Sequence, residues 1–485
     1  MIFSSLIFLC VFMPIFFALY FIVQDRFARN IILLIFSLIF YAWGEPAYVL
    51  LMILSIFVNY ILALRMQKYK DVIEKKSVNH RYAEVKHARK SVKRVFIAAI
   101  VFNLGLLGVF KYTDFLLQNL NVMFGLDFEM ANISLPVGIS FYTFQILSYV
   151  IDVYYGRVEV QKNIINLGTY VAAFPQLIAG PIVRYKDIDE ALENRQETMA
   201  LTTEGIRYFI IGLSKKTLIA NTCAEIIKII MQYSNVQYKM MGALLIAIAY
   251  TFQIYFDFSG YSDMAIGLGK MLGFNYDINF NYPYIARSVT DFWKRWHISL
   301  STFFRDYVYI PLGGNRVSVT RHIINLLIVW FLTGMWHGAS WNFIIWGLYY
   351  GVLLIIEKYT PEKIKKLVPR FLGHIITLII IIFGWIIFRI ENMNEFSEFM
   401  KTLFGSYGVG NYKFFENIGL VSPQYVIAMI MAFILSTPIL NMIYVKFRDN
   451  KVCHYIFDFI LILMFLLSAI FIAVGTYNPF IYFKF

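Results

Sequence analysis

Twelve apolar runs divide this chain and constrain its fold more than any motif does. They are Met1–Val23, Ile31–Trp43, Ala47–Leu64, Val95–Phe110, Ile133–Tyr154, Ile206–Ala220, Gly242–Phe256, Ile323–Met335, Phe343–Ile356, Leu372–Ile390, Tyr425–Tyr444 and Tyr455–Val474. A backbone in hydrocarbon must satisfy its own hydrogen bonds, and for segments of this kind that means helix. Several runs fall short of the ~20 residues a perpendicular span requires, so broken or tilted helices are expected among about eleven or twelve crossings. The chain has 485 residues, 59% of them hydrophobic and 15% charged, a balance that excludes an ordinary soluble domain. The expected fold class is an all-α polytopic membrane protein, one domain over residues 1–485, with re-entrant and in-plane helices beside the spans. Met1–Val23 has no Lys or Arg ahead of it and no small-residue cleavage site, so it reads as a retained first helix and not as a signal peptide.

The net charge of +13 does not point to nucleic acid, because the basic residues stand between apolar runs and not on one soluble face. An excess of this kind anchors cytoplasmic loops beside anionic membrane lipid. Eleven Lys and Arg residues crowd Arg65 to Arg94, which is expected to be a cytoplasmic loop. Counting helices from it places both termini outside. The three cysteines, Cys10, Cys223 and Cys453, lack CxxC spacing and imply neither a disulfide framework nor zinc. No HxxH or HExxH pattern appears, so no metal is expected.

Two stretches suit neither a plain span nor a solvated loop. Phe174 to Tyr185 (FPQLIAGPIVRY) mixes two prolines and a glycine with apolar residues and reads as a re-entrant or surface segment buried in protein. Phe292 to Arg316 carries a charge every four or five residues amid aromatics and should lie half in the membrane, lining a cavity. Further on, Glu391 to Gln424 offers FSEFMKTLF as an in-plane amphipathic helix or partner-docking surface, followed by a flexible GSYGVGNY loop. No internal repeat of the transporter kind is evident.

Chemistry concentrates between Thr290 and Ala339, where His297 and His337 each follow a tryptophan, Trp296 and Trp336. An interfacial histidine ordinarily snorkels or hydrogen-bonds a carbonyl. His297 keeps other company: Lys294, Arg295 and Trp296 precede it and Arg305 follows, a cluster suited to positioning an anionic or polar group. His337 lies in GMWHGAS, after a run without charge, and a buried neutral imidazole there suits a general base that removes a hydroxyl proton. The structural alternative for His337 is a helix cap. Asp257 and Asp263, in YFDFSGYSDMAIGLG, either line a cavity or pair with Arg287, Lys294, Arg295 or Arg305. Ser259 has no GxSxG elbow, and the glycines beside it form no phosphate loop.

Five blocks in order, Leu135–Tyr155, Phe174–Tyr185, Tyr255–Gly269, Phe292–Arg316 and Gly334–Ala339, resemble the membrane-bound O-acyltransferases. The likeness is to the alginate O-acetyltransferase membrane-subunit type and its cellulose and peptidoglycan relatives. The chain's ends, FSSLIFLCVFMPIFFALYF and PFIYFKF, also look like that branch. The resemblance implies a helical disc or funnel with a central tunnel, His337 as the principal catalytic residue and His297 as the second. Lys294, Arg295, Trp296, Arg305, Asn315 and Trp336 are then the candidates to hold the acyl donor, for which acetyl-CoA is expected. It further implies a multi-pass protein of the bacterial cytoplasmic membrane that takes acetyl from a cytoplasmic thioester for an exported polysaccharide. An extracytoplasmic partner resembling an SGNH hydrolase would complete the transfer. The D-alanyl transferases of teichoic acids share the FWxRWHxSLS and WHG blocks and are the alternative within the family. A transporter or flippase, or a non-catalytic scaffold for an export complex, is the alternative outside it.

Overall fold

The computed structural model describes residues 1–78, 82–178, 180–475 and 480–481. Its described residues contain helices and no strand, as the apolar runs require. Contacts gather into two compact units, one of Met1–Ile206 with Ala265–Asp277, the other of Arg207–Met264 with Ile278–Phe485.

The first unit contains α1 (Arg26–Ala42), α2 (Tyr48–Val78), α3 (Tyr82–Phe124) and α4 (Ile139–Tyr155). The basic stretch expected as a loop is helical instead: α2 and α3 run through it from either side, and of it only Asn79, His80 and Arg81 lie outside the described residues. Lys, Arg and Glu are good helix formers, and no Gly or Pro stands between Arg65 and Arg94 to stop propagation. The proline-containing segment is buried around Phe174, which packs among Phe3, Phe8, Phe12, Phe16 and Phe40; Ala179 of that segment lies outside the described residues. Polar groups in the unit are tied together. Arg195, 4% exposed, donates to Leu272 O at 3.0 Å and to Asn30 Oδ1 at 2.7 Å. Glu197 accepts from Tyr20 at 2.7 Å and Arg29 at 2.8 Å, and also from Arg26. Such pairing is what allows charge to be buried at all.

The second unit holds α5 (Asn235–Met271, interrupted at Lys239 and ending in the first unit's residues), α6 (Val289–Trp293), α7 (Ile298–Phe304), α8 (Val319–His337), α9 (Trp341–Tyr359), α10 (Arg370–Arg389) and α11 (Met393–Leu403). Glycines set its closest packing. A Cβ on Gly334 would overlap the Phe343 carbonyl, and one on Gly347 would overlap the Trp330 carbonyl, so α8 and α9 touch backbone to backbone. Asp257 and Asp263 pair with Lys216 and Lys215, both at 2.6 Å, and not with Arg287, Lys294, Arg295 or Arg305, the pairing partners offered by the sequence. The reason is again a glycine contact: Gly212 and Gly260 leave no room for a Cβ between their segments, which brings the lysines of Lys215–Ala220 against α5.

Among the described residues six helices are long and apolar enough to cross a membrane, and a seventh span results if the bent pair Pro423–Leu435 and Ile439–Phe447 counts as one. The other apolar runs form helices too; α1 and α4, at 17 residues each, are among the shorter ones. The FSEFMKTLF segment falls within α11 up to Leu403, with Phe404 capping the helix and Phe399 and Thr402 buried. The glycine-rich loop after it is pinned by Gly408 O and Val409 O, which accept from Met240 N and Met241 N. Of the PFIYFKF end, only Phe480 and Ile481 are among the described residues.

Candidate active site

Phe292 to Arg316 is built from α6, α7 and a π-helical turn over Arg305–Tyr309, three short pieces in place of one helix. His297 stands at the first break, capping α7 with φ 44° and ψ 55°. A non-glycine residue costs about 1–3 kcal/mol in such a left-handed conformation, so the surroundings must hold it there. The segment just before α6 does so. Asn279 O accepts from Ile298 N at 3.0 Å, and Asn281 N donates to Arg295 O at 2.9 Å.

Asn279 also decides the chemistry of the imidazole. Its Oδ1 accepts from the Ser299 backbone N–H at 3.1 Å and the Ser299 hydroxyl at 2.9 Å. A backbone N–H only donates, so the amide oxygen, and not its nitrogen, occupies that position. His297 Nδ1, 3.2 Å from the same oxygen, must then carry its proton and donate. The lone pair is left on Nε2, which is buried and, among the described residues, without a hydrogen-bond partner. Phe258 stands edge-on to the ring at 4.6 Å and Trp336 at 5.7 Å, with Phe280 stacked at 6.4 Å. Burial among these apolar faces disfavours the imidazolium and pushes the His297 pKa down to about 3. The result is a neutral imidazole whose open nitrogen accepts a hydrogen bond or a proton.

His337 ends α8 and is 4% exposed. Its ring meets Trp336 at 5.0 Å, Trp346 at 4.9 Å and Phe388 at 5.2 Å, all edge-on. Trp336 therefore touches both histidines, which stand forty positions apart in sequence and on different elements. Trp296 extends the same aromatic wall through Trp385, at 4.6 Å, which in turn stacks on Trp346 at 6.2 Å.

The other site candidates are placed differently. Lys294 and Asn315 are exposed. Arg305 is exposed and pairs with its neighbour Asp306 at 2.7 Å. Arg295 is tied to Asp291 at 2.8 Å and to Asn281 O at 3.3 Å. The exposed and ion-paired candidates thus lie at the rim and the aromatic ones at the histidines. Among the described residues no group of three or more His, Cys, Asp or Glu side chains is placed to hold a metal. Asn279 escaped the sequence reading; the available signal was its position between aromatic residues in NYDINFNYPY, where a solvated amide is out of place.

Comparison with known proteins bears on this geometry. The model of the MBOAT, membrane-bound O-acyltransferase family, matches residues 159–399, which contain both histidines and Asn279. The chain is 37% identical to the probable alginate O-acetylase AlgI of Pseudomonas putida over the whole of both chains. It is 42% identical to the protein of that description from Pseudomonas aeruginosa, over 83% of this chain and 75% of the relative. It is also similar to the peptidoglycan O-acetyltransferase of Helicobacter pylori, at 34% identity over 84% of this chain and 81% of that one.

Proposed function

The chain belongs to the membrane-bound O-acyltransferase family and is a multi-pass enzyme of the bacterial cell membrane, and from that premise we propose that it moves an acetyl group from a cytoplasmic thioester, acetyl-CoA, outward for O-acetylation of an exported polysaccharide. The alginate and peptidoglycan relatives, by their names, favour acetyl as the group and a cell-surface polymer as its destination. The two units would act as one acyltransferase domain, with the basic ends of α2 and α3 toward the cytoplasm.

The observation that carries the reading is the pair of buried imidazoles on either side of Trp336. In the proposed reaction His337 takes the proton of the accepting hydroxyl as that oxygen attacks the thioester carbonyl carbon. The C–O bond forms, the C–S bond breaks, and the proton passes to the departing thiolate. His297 orients the reactants. Stabilising an oxyanion would need a donor on Nε2, whereas the tautomer set by Asn279 leaves an acceptor there, so the fitting task is to accept a hydrogen bond from a hydroxyl or thiol. Lys294, Arg295, Arg305 and Asn315 would receive the polar end of the donor at the rim, and Trp296 and Trp336 its acyl end.

His337→Ala is expected to lower acetyl transfer by ~10²–10⁴-fold, the usual cost of losing a general base. Mass spectrometry of the surface polysaccharide, from cells making the variant at wild-type level, reads the result. Full acetylation with the variant would overturn the assignment, and so would loss of both histidines without effect, which is what a scaffold predicts.

A further inference from the structure

The reaction uses none of the cations between Lys70 and Lys93, yet several of them line a cleft of about 890 Å³ in the first unit. Six basic side chains line it: Lys70 and Lys76 from α2, and Lys86, Arg89, Lys90 and Lys93 from α3. No Asp or Glu is among the described lining residues. Lys70 is occupied by the Val153 carbonyl and Lys76 by Glu84 at 2.9 Å. The four on α3 have no ion pair among the described residues. Their spacing is i, i+3, i+4 and i+7, which stacks them on one face of the helix. Like charges so placed destabilise a helix. Cytoplasmic orientation would explain the number of cations on this hairpin, since the topological signal counts charges. It does not ask that they converge on one hollow.

The floor of that hollow is apolar, made by Ile73, Val85 and Val92, and Tyr154 closes one side with its ring stacked on Phe96 at 4.0 Å. A cationic rim over an apolar floor, continuous with the apolar run of α3, matches a phosphate joined to a hydrophobic body. We propose that this cleft is a phosphate-binding site at the membrane surface, filled by the headgroup of an anionic phospholipid. A soluble phosphate compound shares the phosphate chemistry but leaves the apolar floor unused.

The test uses the full chain, purified and placed in phosphatidylcholine nanodiscs containing phosphatidylglycerol, with retained lipid read by native mass spectrometry. Combining Lys86→Gln, Arg89→Gln, Lys90→Gln and Lys93→Gln is expected to lower the affinity for phosphatidylglycerol, and with it the retained lipid, by on the order of 10²–10³-fold, the product of what four cations each contribute near an anionic surface. The wild-type preference should also weaken with salt. All four side chains are exposed, so the variant should fold, and an unchanged thermal melt verifies this. A control carries Lys363→Gln and Lys366→Gln, exposed cations of another helix, and should retain lipid as wild type does. An equal loss in the control, or no loss in the cleft variant, overturns the lipid site. In a second arm inorganic pyrophosphate is titrated into delipidated protein. Pyrophosphate binding that the cleft variant loses, without a phosphatidylglycerol preference, would keep the phosphate site and overturn the lipid as its occupant.

Discussion

Three donors converge on Asn279 Oδ1, and through that one atom the fold fixes the tautomer of His297. Asn279 is a positioning residue in this arrangement, and its removal should cost less than removal of a base. Asn279→Ala would let the ring take either tautomer and rotate, and the expected loss in acetyl transfer is smaller than the ~10²–10⁴-fold of His337→Ala. Asn279→Asp separates positioning from packing. It keeps an acceptor for Nδ1 but adds a negative charge, which favours the imidazolium and raises a His297 pKa that burial holds near 3. The neutral ring is then lost at a higher pH as acid is added. Protonation of His297, read from its imidazole NMR resonance, should therefore occur at higher pH in Asn279→Asp, while a residue that merely supported the fold would leave it in place. His297 itself is better replaced by Asn than by Ala, since Asn tolerates the left-handed backbone found there.

At the level of elements, the position of His337 depends on how closely α8 and α9 approach, and Gly334 sets that approach three residues earlier. A methyl group at 334 would collide with the Phe343 carbonyl, which belongs to backbone and cannot rotate away. Gly334→Ala is expected to destabilise the protein by about 1–3 kcal/mol, as overpacking does, and to lower transfer by displacing the end of α8. Gly105→Ala on α3 is the matched control, because a Cβ there meets nothing within 4 Å. Thermal melting in detergent with parallel activity measurements separates the two; equal behaviour would discard the close-packing account. The sequence already carried much of this architecture. Hydropathy marked the helices, and the histidines were recognisable as polar groups in apolar surroundings. What it did not carry depends on distant contacts. The aspartates of α5 found Lys215 and Lys216 and not the arginines nearer the histidines, because glycine contacts and not sequence distance decide which helices meet. The basic hairpin was mistaken for loop because charge marks a surface without saying what backbone runs through it. Asn279 carried no pattern of its own, and its role exists only once the 279–281 segment lies along 295–298.

For the whole molecule, the difficulty is the size of the acceptor. His297 and His337 are 1% and 4% exposed, behind walls of tryptophan and phenylalanine. An acyl chain and a single hydroxyl suit such a space. A hydrated polysaccharide would have to strip water from several sugar hydroxyls that find no partners on aromatic faces, and each unpaired group carries a penalty of about 1–3 kcal/mol. Under the proposed function a relay is therefore expected, in which the membrane enzyme would hand acetyl to an extracytoplasmic partner resembling an SGNH hydrolase and that partner would modify the polymer. The purified chain in nanodiscs, given isotopically labelled acetyl-CoA and de-acetylated polysaccharide, should leave the polymer unlabelled. Adding the partner should label it, and His337→Ala in the membrane enzyme should abolish the label while the partner is still present. Polymer labelled at the same rate by the membrane chain alone would exclude the relay and require a route from the imidazoles wide enough for sugar.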